Sequence, residues 1–210
     1  VSYMVARKRG KRSSVSQALF MPLSVLDLEV EHQNKRDIQR IKEVYLAFSV
    51  SSFQLDPVKN VLALFLSEVL FRVVKDTQPD ERMYAFLTDS VRILDSVEQG
   101  LANFHVAFLL NLLHYLGIFP NVEHPRDALY FDMLNGIFVC QQPTHPYYLQ
   151  PAETVVFQRL LKMSYENMSL YAFSRQDRVR ILHRIFEYYQ LHLPDFKEIR
   201  SLQILQSLFD

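Results

Sequence analysis

Val44-Tyr45-Leu46-Ala47-Phe48-Ser49-Val50-Ser51-Ser52-Phe53-Gln54-Leu55-Asp56-Pro57-Val58-Lys59-Asn60-Val61-Leu62 is where the period of this chain changes. Up to Val50 the apolar residues alternate, with Val44, Leu46, Phe48 and Val50 set against Tyr45, Ala47 and Ser49. That is the pattern of a half-buried strand. At Asp56-Pro57 an N-cap residue precedes proline at the first helical position. From there Val58, Val61, Leu62, Phe65, Leu66, Val69, Leu70 and Val73 predict a helix to about Lys75, apolar nearly all round. Such a helix belongs at the centre of a bundle. The expected class is α+β, mainly α: an N-terminal antiparallel β module over residues 1–53, then an all-α helical domain over residues 54–210.

Upstream, Val1, Tyr3 and Val5 alternate with Ser2 and Met4, and Leu26, Leu28 and Val30 alternate with Asp27, Glu29 and Glu31. Three strands of this kind, in the antiparallel style, make most of a small barrel. The polar connections between them, 6–17 and 32–40, are rich in Lys and Arg. Residues 1–42 hold nine cations (Arg7, Lys8, Arg9, Lys11, Arg12, Lys35, Arg36, Arg40, Lys42) against four anions, a net of +5. The whole chain balances 23 Lys and Arg against 23 Asp and Glu, so the remainder carries −5. A basic end on a mildly acidic body points to a polyanionic partner approached from one side. Basic loops on a β module, with Tyr3 and Tyr45 as stacking surfaces, suit single-stranded nucleic acid. The plain alternative is a solvated face.

Downstream, helical periods recur at about 80–97, 102–116 (ended by Gly117), 152–169, 174–191 and 196–209, with Ser174 and Asp177 resembling a capping box. Residues 118–150 lose periodicity and carry four prolines. They predict an irregular surface excursion with one hairpin at Asn135-Gly136.

With 49% apolar residues the chain can build a real core, which excludes global disorder. Four glycines leave little for a phosphate-cradling loop. Cys140 is the only cysteine, so the chain by itself forms neither an internal disulfide nor a thiolate zinc site, and a reducing, cytoplasmic setting is expected. No apolar stretch approaches the roughly 20 residues of a spanning helix, since Val61–Leu66 runs into Glu68 and Arg72, so no membrane is expected. Val1 opens in mid-strand, which suggests a piece of a longer chain.

Catalytic patterns are absent: no G-x-S-x-G, no Walker loop, no H-E-x-x-H and no G-x-G-x-x-G. A binding protein, with no catalytic residue, metal or cofactor, is the expectation. His105/His114 and His183/His192 are each nine apart and make no i, i+4 ligand pair; His124, His145 and Cys140 form at most a loose set. Arg175, Arg178, Arg180 and Arg184 on one helix read either as a second nucleic-acid contact or as an ordinary helix face, Arg184 pairing with Glu187.

Val1-Ser-Tyr-Met-Val-Ala-Arg-Lys-Arg-Gly-Lys-Arg-Ser-Ser, then Ala18-Leu-Phe-Met-Pro-Leu, resembles the bacterial recombination mediator family RecO. Ile41-Lys-Glu-Val-Tyr, Ala63-Leu-Phe-Leu-Ser-Glu-Val-Leu, Phe104-His-Val-Ala-Phe-Leu-Leu and Leu116-Gly-Ile-Phe-Pro-Asn extend the likeness over nearly the whole chain. The resemblance implies an incomplete OB-fold, its first strands preceding Val1, and a helical second domain. It implies a non-enzymatic, nucleoid-associated DNA repair protein that binds single- and double-stranded DNA and anneals complementary strands. The implied partners are RecR and the C-terminal tail of the single-stranded DNA-binding protein, in loading RecA. Some members carry a four-cysteine zinc module near 118–150, which the lone Cys140 cannot supply. Arg72, Lys75 and Arg92 are the candidate contacts for the partner's tail. The alternative is a protein-interaction scaffold that uses its helical bundle as a partner-binding groove and ignores DNA.

Overall fold

In the computed structural model the described residues are 2–5, 19–33, 35–74, 78–123 and 127–208. Arg7, Lys8, Arg9, Lys11, Arg12, Lys75 and His124 therefore lie outside the described residues. The first sheet holds β1 (Ser2–Val5), β2 (Leu26–Glu31) and β3 (Ile38–Leu46) in the order β1-β3-β2. β2 and β3 form the expected antiparallel hairpin, but β1 runs parallel to β3, with Ser2 beside Ile38 and Val5 beside Ile41. The antiparallel expectation is corrected for this strand. Side-chain alternation is the same in either direction, so period two finds a strand without orienting it. A parallel neighbour needs a connection of about a dozen residues or more, and the stretch between β1 and β3, residues 6–37 with β2 inside it, is long enough.

A bulge also moves the boundaries of β3. Glu29 pairs with Glu43 and Val30 with Ile41, so Lys42 is an extra residue on that strand. Ile41 and Val44 thereby point to one face although they are three apart, which hides the strand from a period-two pattern. The basic connection is 32–37 rather than 32–40, and Arg40 and Lys42 sit on the strand itself. At the other end Phe48 and Val50 leave the ladder and pack on the helical core, so their alternation is not that of a strand.

The helices are α1 (Ser52–Leu55), α2 (Pro57–Val73), α3 (Glu81–Ser96), α4 (Phe104–Tyr115), α5 (Pro151–Leu160), α6 (Arg175–His192) and α7 (Ser201–Leu208). Asp56 caps α2 by accepting from Val58 N–H at 2.8 Å, and Asp80 caps α3 by accepting from Arg82 N–H at 2.7 Å. Ser174 and Asp177 close the expected capping box of α6. The mainly α, α+β class holds, yet the part after residue 54 is not all-α. β4 (Tyr130–Asp132), β5 (Ile137–Val139) and β6 (Tyr148–Leu149) form a small antiparallel sheet, ordered β5-β4-β6, around the expected Asn135-Gly136 turn. α5 stops at Leu160 rather than near 169, because Asn167 closes a polar turn, accepting from Ser164 N–H at 2.8 Å and donating to Lys162 O at 2.9 Å.

Every residue from Phe104 to Leu110 in α4 is buried. Phe65 of α2 meets His105 edge-on at 6.1 Å, Phe86 of α3 stacks on Phe108 at 5.4 Å, and Tyr189 of α6 donates to Leu109 O at 2.8 Å. The β module has a small cluster of its own, Ile41 and Val44 with Leu19, Leu26 and Val30. It joins the helices through Leu23, Val25, Phe48 and Val50, through Arg92 set 4.5 Å over the Phe48 ring, and through Leu23 N–H, which donates to Ser67 Oγ.

α7 begins later than the expected 196, and its start is fixed from α2. Glu68 accepts from Arg200 N–H (3.0 Å), Ser201 N–H (2.8 Å) and Ser201 Oγ (2.6 Å). Burial alone would raise this carboxyl, but the Ser201 and Arg200 hydrogen bonds and the charge of Arg72 together hold it below its usual value. Glu68→Gln should destabilise the protein by about 1–2 kcal/mol in urea denaturation, the size of a lost cap. A carboxyl lowered by folding stabilises fully above its unfolded value near 4.5 and loses that contribution as pH falls through its folded value. The difference between wild type and variant should therefore shrink as the pH is taken down through that range.

Candidate nucleic-acid interface

The hairpin joining β2 to β3 displays Lys35, Arg36 and Asp37 in the open. Its turn is closed by Arg36 N–H donating to Gln33 O at 3.0 Å. Beneath it lies Gln39, 3% exposed, whose Oε1 accepts from Gln33 N–H at 2.8 Å. Its Nε2 donates to Gln33 O at 3.1 Å and to Arg36 O at 2.6 Å. Sequence reasoning placed position 39 in a loop and so missed this side chain; the available signal was an amide two residues before the inward Ile41.

The outer sheet face has a different character. Register sets Asp27 opposite Tyr45, Glu29 opposite Glu43, and Glu31 opposite Arg40. Lys42, at the bulge, approaches Glu29 at 4.0 Å. Arg40 and Lys42 thus stand among four carboxylates, where exposed pairs of this kind contribute about 0–1 kcal/mol. Tyr45 donates its hydroxyl to Glu43, and that hydrogen bond, followed by the Glu43 charge, raises the phenol above its ordinary value. Tyr3 lies beside Gln39 on the far side of β3, roughly 20 Å from Tyr45 along the strand at about 3.3 Å per residue. The two tyrosines do not form one stacking platform.

On the helical part, Arg72 is half-buried and lies 3.9 Å from Glu68, the carboxylate that caps α7. Arg92 pairs with Asp89 at 3.2 Å besides covering Phe48. Neither lines the apolar cleft of about 280 Å³ that Leu23, Val25, Leu66, Leu70 and Leu87 help to form.

Of the α6 arginines, Arg178 and Arg184 are engaged within the protein, and Arg175 and Arg180 are exposed. Arg184 holds Glu153 in a forked pair (2.9 and 3.2 Å) and Glu187 at 2.8 Å, and the Glu153 contact leads in raising its pKa. Arg178 donates to Phe173 O at 2.7 Å. Arg180 is exposed and lines the mouth of a groove between α5 and α6, about 390 Å³, floored by Val156, Phe157, Leu160, Phe173 and Ile181. Asp177 also lines it, but its carboxylate already serves Ser174 N–H and Oγ. Sequence reasoning missed this groove, whose trace in the sequence is Val156 of α5, an apolar residue left partly exposed.

Cys140 is the one thiol of the sequence. Cys140 donates its thiol to Asp127 at 3.3 Å, a bond that raises its pKa, and no cluster of three His, Cys, Asp or Glu side chains suits a metal among the described residues. The small sheet is instead built on Phe131, packed on Phe138 (4.8 Å) and Phe157 (4.7 Å). Asp132 accepts from Asn135 N–H (3.0 Å) and Nδ2 (2.7 Å) and lies 3.3 Å from His145 Nε2. Among the described residues no helix is long and apolar enough to cross a membrane.

Comparison with known proteins supplies a lineage. The family model described as "Recombination protein O C terminal" matches residues 54–202. The DNA repair protein RecO of Azobacteroides pseudotrichonymphae is 39% identical over 210 residues, covering 100% of this chain and 87% of that protein. That of Bacteroides fragilis is 38% identical over 210 residues, with the same 100% and 87% coverage. That of Flavobacterium psychrophilum is 33% identical over 204 residues, covering 95% of this chain and 82% of the relative.

Because aromatic packing and the Asp132 hydrogen bonds hold residues 130–149, treatment with a chelator should leave the thermal midpoint unchanged. Asp132→Ala should lower stability by about 1.5–3 kcal/mol, the worth of hydrogen bonds to a charged group, in a denaturant titration.

Proposed function

From the membership of this chain in the RecO family of DNA repair and recombination proteins, we propose that it is a recombination mediator. It binds single- and double-stranded DNA, anneals complementary strands, and acts with RecR and the single-stranded DNA-binding protein to load RecA. The role is non-catalytic. The observation that carries this reading is the family relationship along the full chain, joined to one physical feature. Lys35 and Arg36 project from a hairpin tip while the adjoining sheet face is dominated by carboxylates. A polyanion approaching the β module is attracted at the tip and repelled by the sheet face. Arg7, Lys8, Arg9, Lys11 and Arg12 are proposed to add further phosphate contacts, and Arg40 and Lys42 would contribute less because carboxylates surround them.

The acidic tail of the single-stranded DNA-binding protein is proposed to dock on the helical part, in the groove between α5 and α6. Its apolar floor and the exposed Arg180 suit an acidic peptide with an apolar end. Arg72 and Arg92, already engaged with Glu68 and Asp89, are the secondary candidates, together with Lys75.

Releasing counterions makes such binding salt-dependent, with roughly 0.7 of log-log slope per phosphate contact on a single strand. Lys35→Ala/Arg36→Ala should lower the slope by roughly 1.4 on that scale, read by fluorescence anisotropy with a labelled oligonucleotide. Alanine at Arg7, Lys8, Arg9, Lys11 and Arg12 should lower it further. Unchanged affinity and slope in the combined variant would overturn the assignment. For the tail, Arg180→Glu should weaken capture of an acidic C-terminal peptide about tenfold, the effect of about 1.4 kcal/mol, without altering DNA binding; equal capture would remove the groove from consideration.

A further inference from the structure

The basic hairpin tip is closed by its own Arg36 N–H to Gln33 O bond and braced from beneath by one buried amide. Gln39 uses its oxygen on Gln33 N–H and both of its N–H bonds on the carbonyls of Gln33 and Arg36. These partners fix the orientation of the amide, since one is a donor and two are acceptors. Its neighbours on the inner face, Ile41 and Val44, are apolar, so an apolar residue at 39 would be the ordinary choice for this strand. Burying an amide is unfavourable unless its hydrogen bonds are made, and here all are made to the turn rather than to the core. The connection between Glu31 and Ile38 is also longer than the two-residue turns that brace themselves.

We propose that Gln39 is a positioning residue for nucleic-acid contact: it holds the backbone at 33 and 36, and thereby the places from which Lys35 and Arg36 reach phosphate. An unbraced turn would have to be ordered when DNA binds, and that ordering opposes affinity. With the amide in place the turn is ordered beforehand. Gln39 touches no phosphate itself and acts only through the two cations. The inference rests on the DNA-binding reading above.

The test uses the whole chain and a fluorescein-labelled oligothymidine. Gln39→Met keeps the volume and removes the hydrogen bonds. Gln39→Glu keeps an acceptor for Gln33 N–H but offers nothing to the two carbonyls. Both should weaken binding about three- to tenfold, the effect of leaving one or two side chains to be ordered on binding. A purely structural role would give the same loss in any background, so each change is repeated with Lys35→Ala/Arg36→Ala. There the further loss should vanish. Binding by either Gln39 variant equal to wild type, or an undiminished loss without the two cations, overturns the inference while leaving the DNA-binding reading intact. Failure of the wild-type chain to bind at low salt overturns that reading, and this one with it.

Discussion

Helix α4 has almost no face for water, and the helical part is arranged around that fact. A helix apolar all round must be covered on every side, so α2, α3 and α6 each contribute an aromatic ring to it. The same requirement sets the chemistry of its few polar groups. His105 is fully buried, and burial first, then the nearby Arg178 charge, lowers its pKa to about 3, so it remains neutral in the folded protein. Asn103, at the start of the helix, donates to Met168 O (2.9 Å) and Tyr171 O (2.8 Å), fastening the segment between α5 and α6 against it. Just before it, Gly100 turns with φ of +77°, and a Cβ there would stand 2.9 Å from Ser169 N. Glycine is the residue that meets both conditions.

In the β module the controlling event is the one-residue bulge at Lys42. Without the extra residue, Ile41 and Val44 would fall on opposite faces and the small cluster with Leu26 and Val30 would not form. With it, Glu29 and Glu43 are brought directly opposite one another, an arrangement that disfavours the sheet by a few tenths of a kcal/mol or more. Lys42, itself the bulged residue, partly offsets this through Glu29. One local irregularity thus fixes both the core of the module and the charge of its outer surface.

The parts legible from sequence are those governed by local rules. Asp56, Asp80 and Ser174 each announce a helix by a side chain that accepts backbone N–H bonds within a few residues, and α2, α3 and α6 begin where those residues stand. Gly117 ends α4 with φ of +70°. What escaped was set by distant partners. The parallel placing of β1 depends on pairing across more than thirty residues, and the start of α7 depends on Glu68, 133 residues from Ser201. The Arg180 groove exists only because α5 and Phe173 lie against α6. Arg184 was expected to pair with Glu187 and does, but its forked partner Glu153 is 31 residues away and belongs to another helix.

The arrangement of charge bears on how a strand could be held yet remain able to pair. Stacking on an aromatic side chain is worth about 1–3 kcal/mol per base and competes with stacking in a duplex. Tyr45 is the exposed aromatic of β3 best placed for it, but it sits opposite Asp27 and donates to Glu43. A nucleotide laid on that ring would bring its phosphate near two carboxylates, each opposing it by about 1 kcal/mol even in water at about 4 Å. The two effects are comparable, so the face offers little net attraction for a base. Lys35 and Arg36 offer charge without a stacking surface among the described residues of the tip, and charge is indifferent to sequence. On the proposed reading, the β module holds the sugar-phosphate chain at its edge because its face has been made inhospitable, and the bases are left facing outward for a complementary strand.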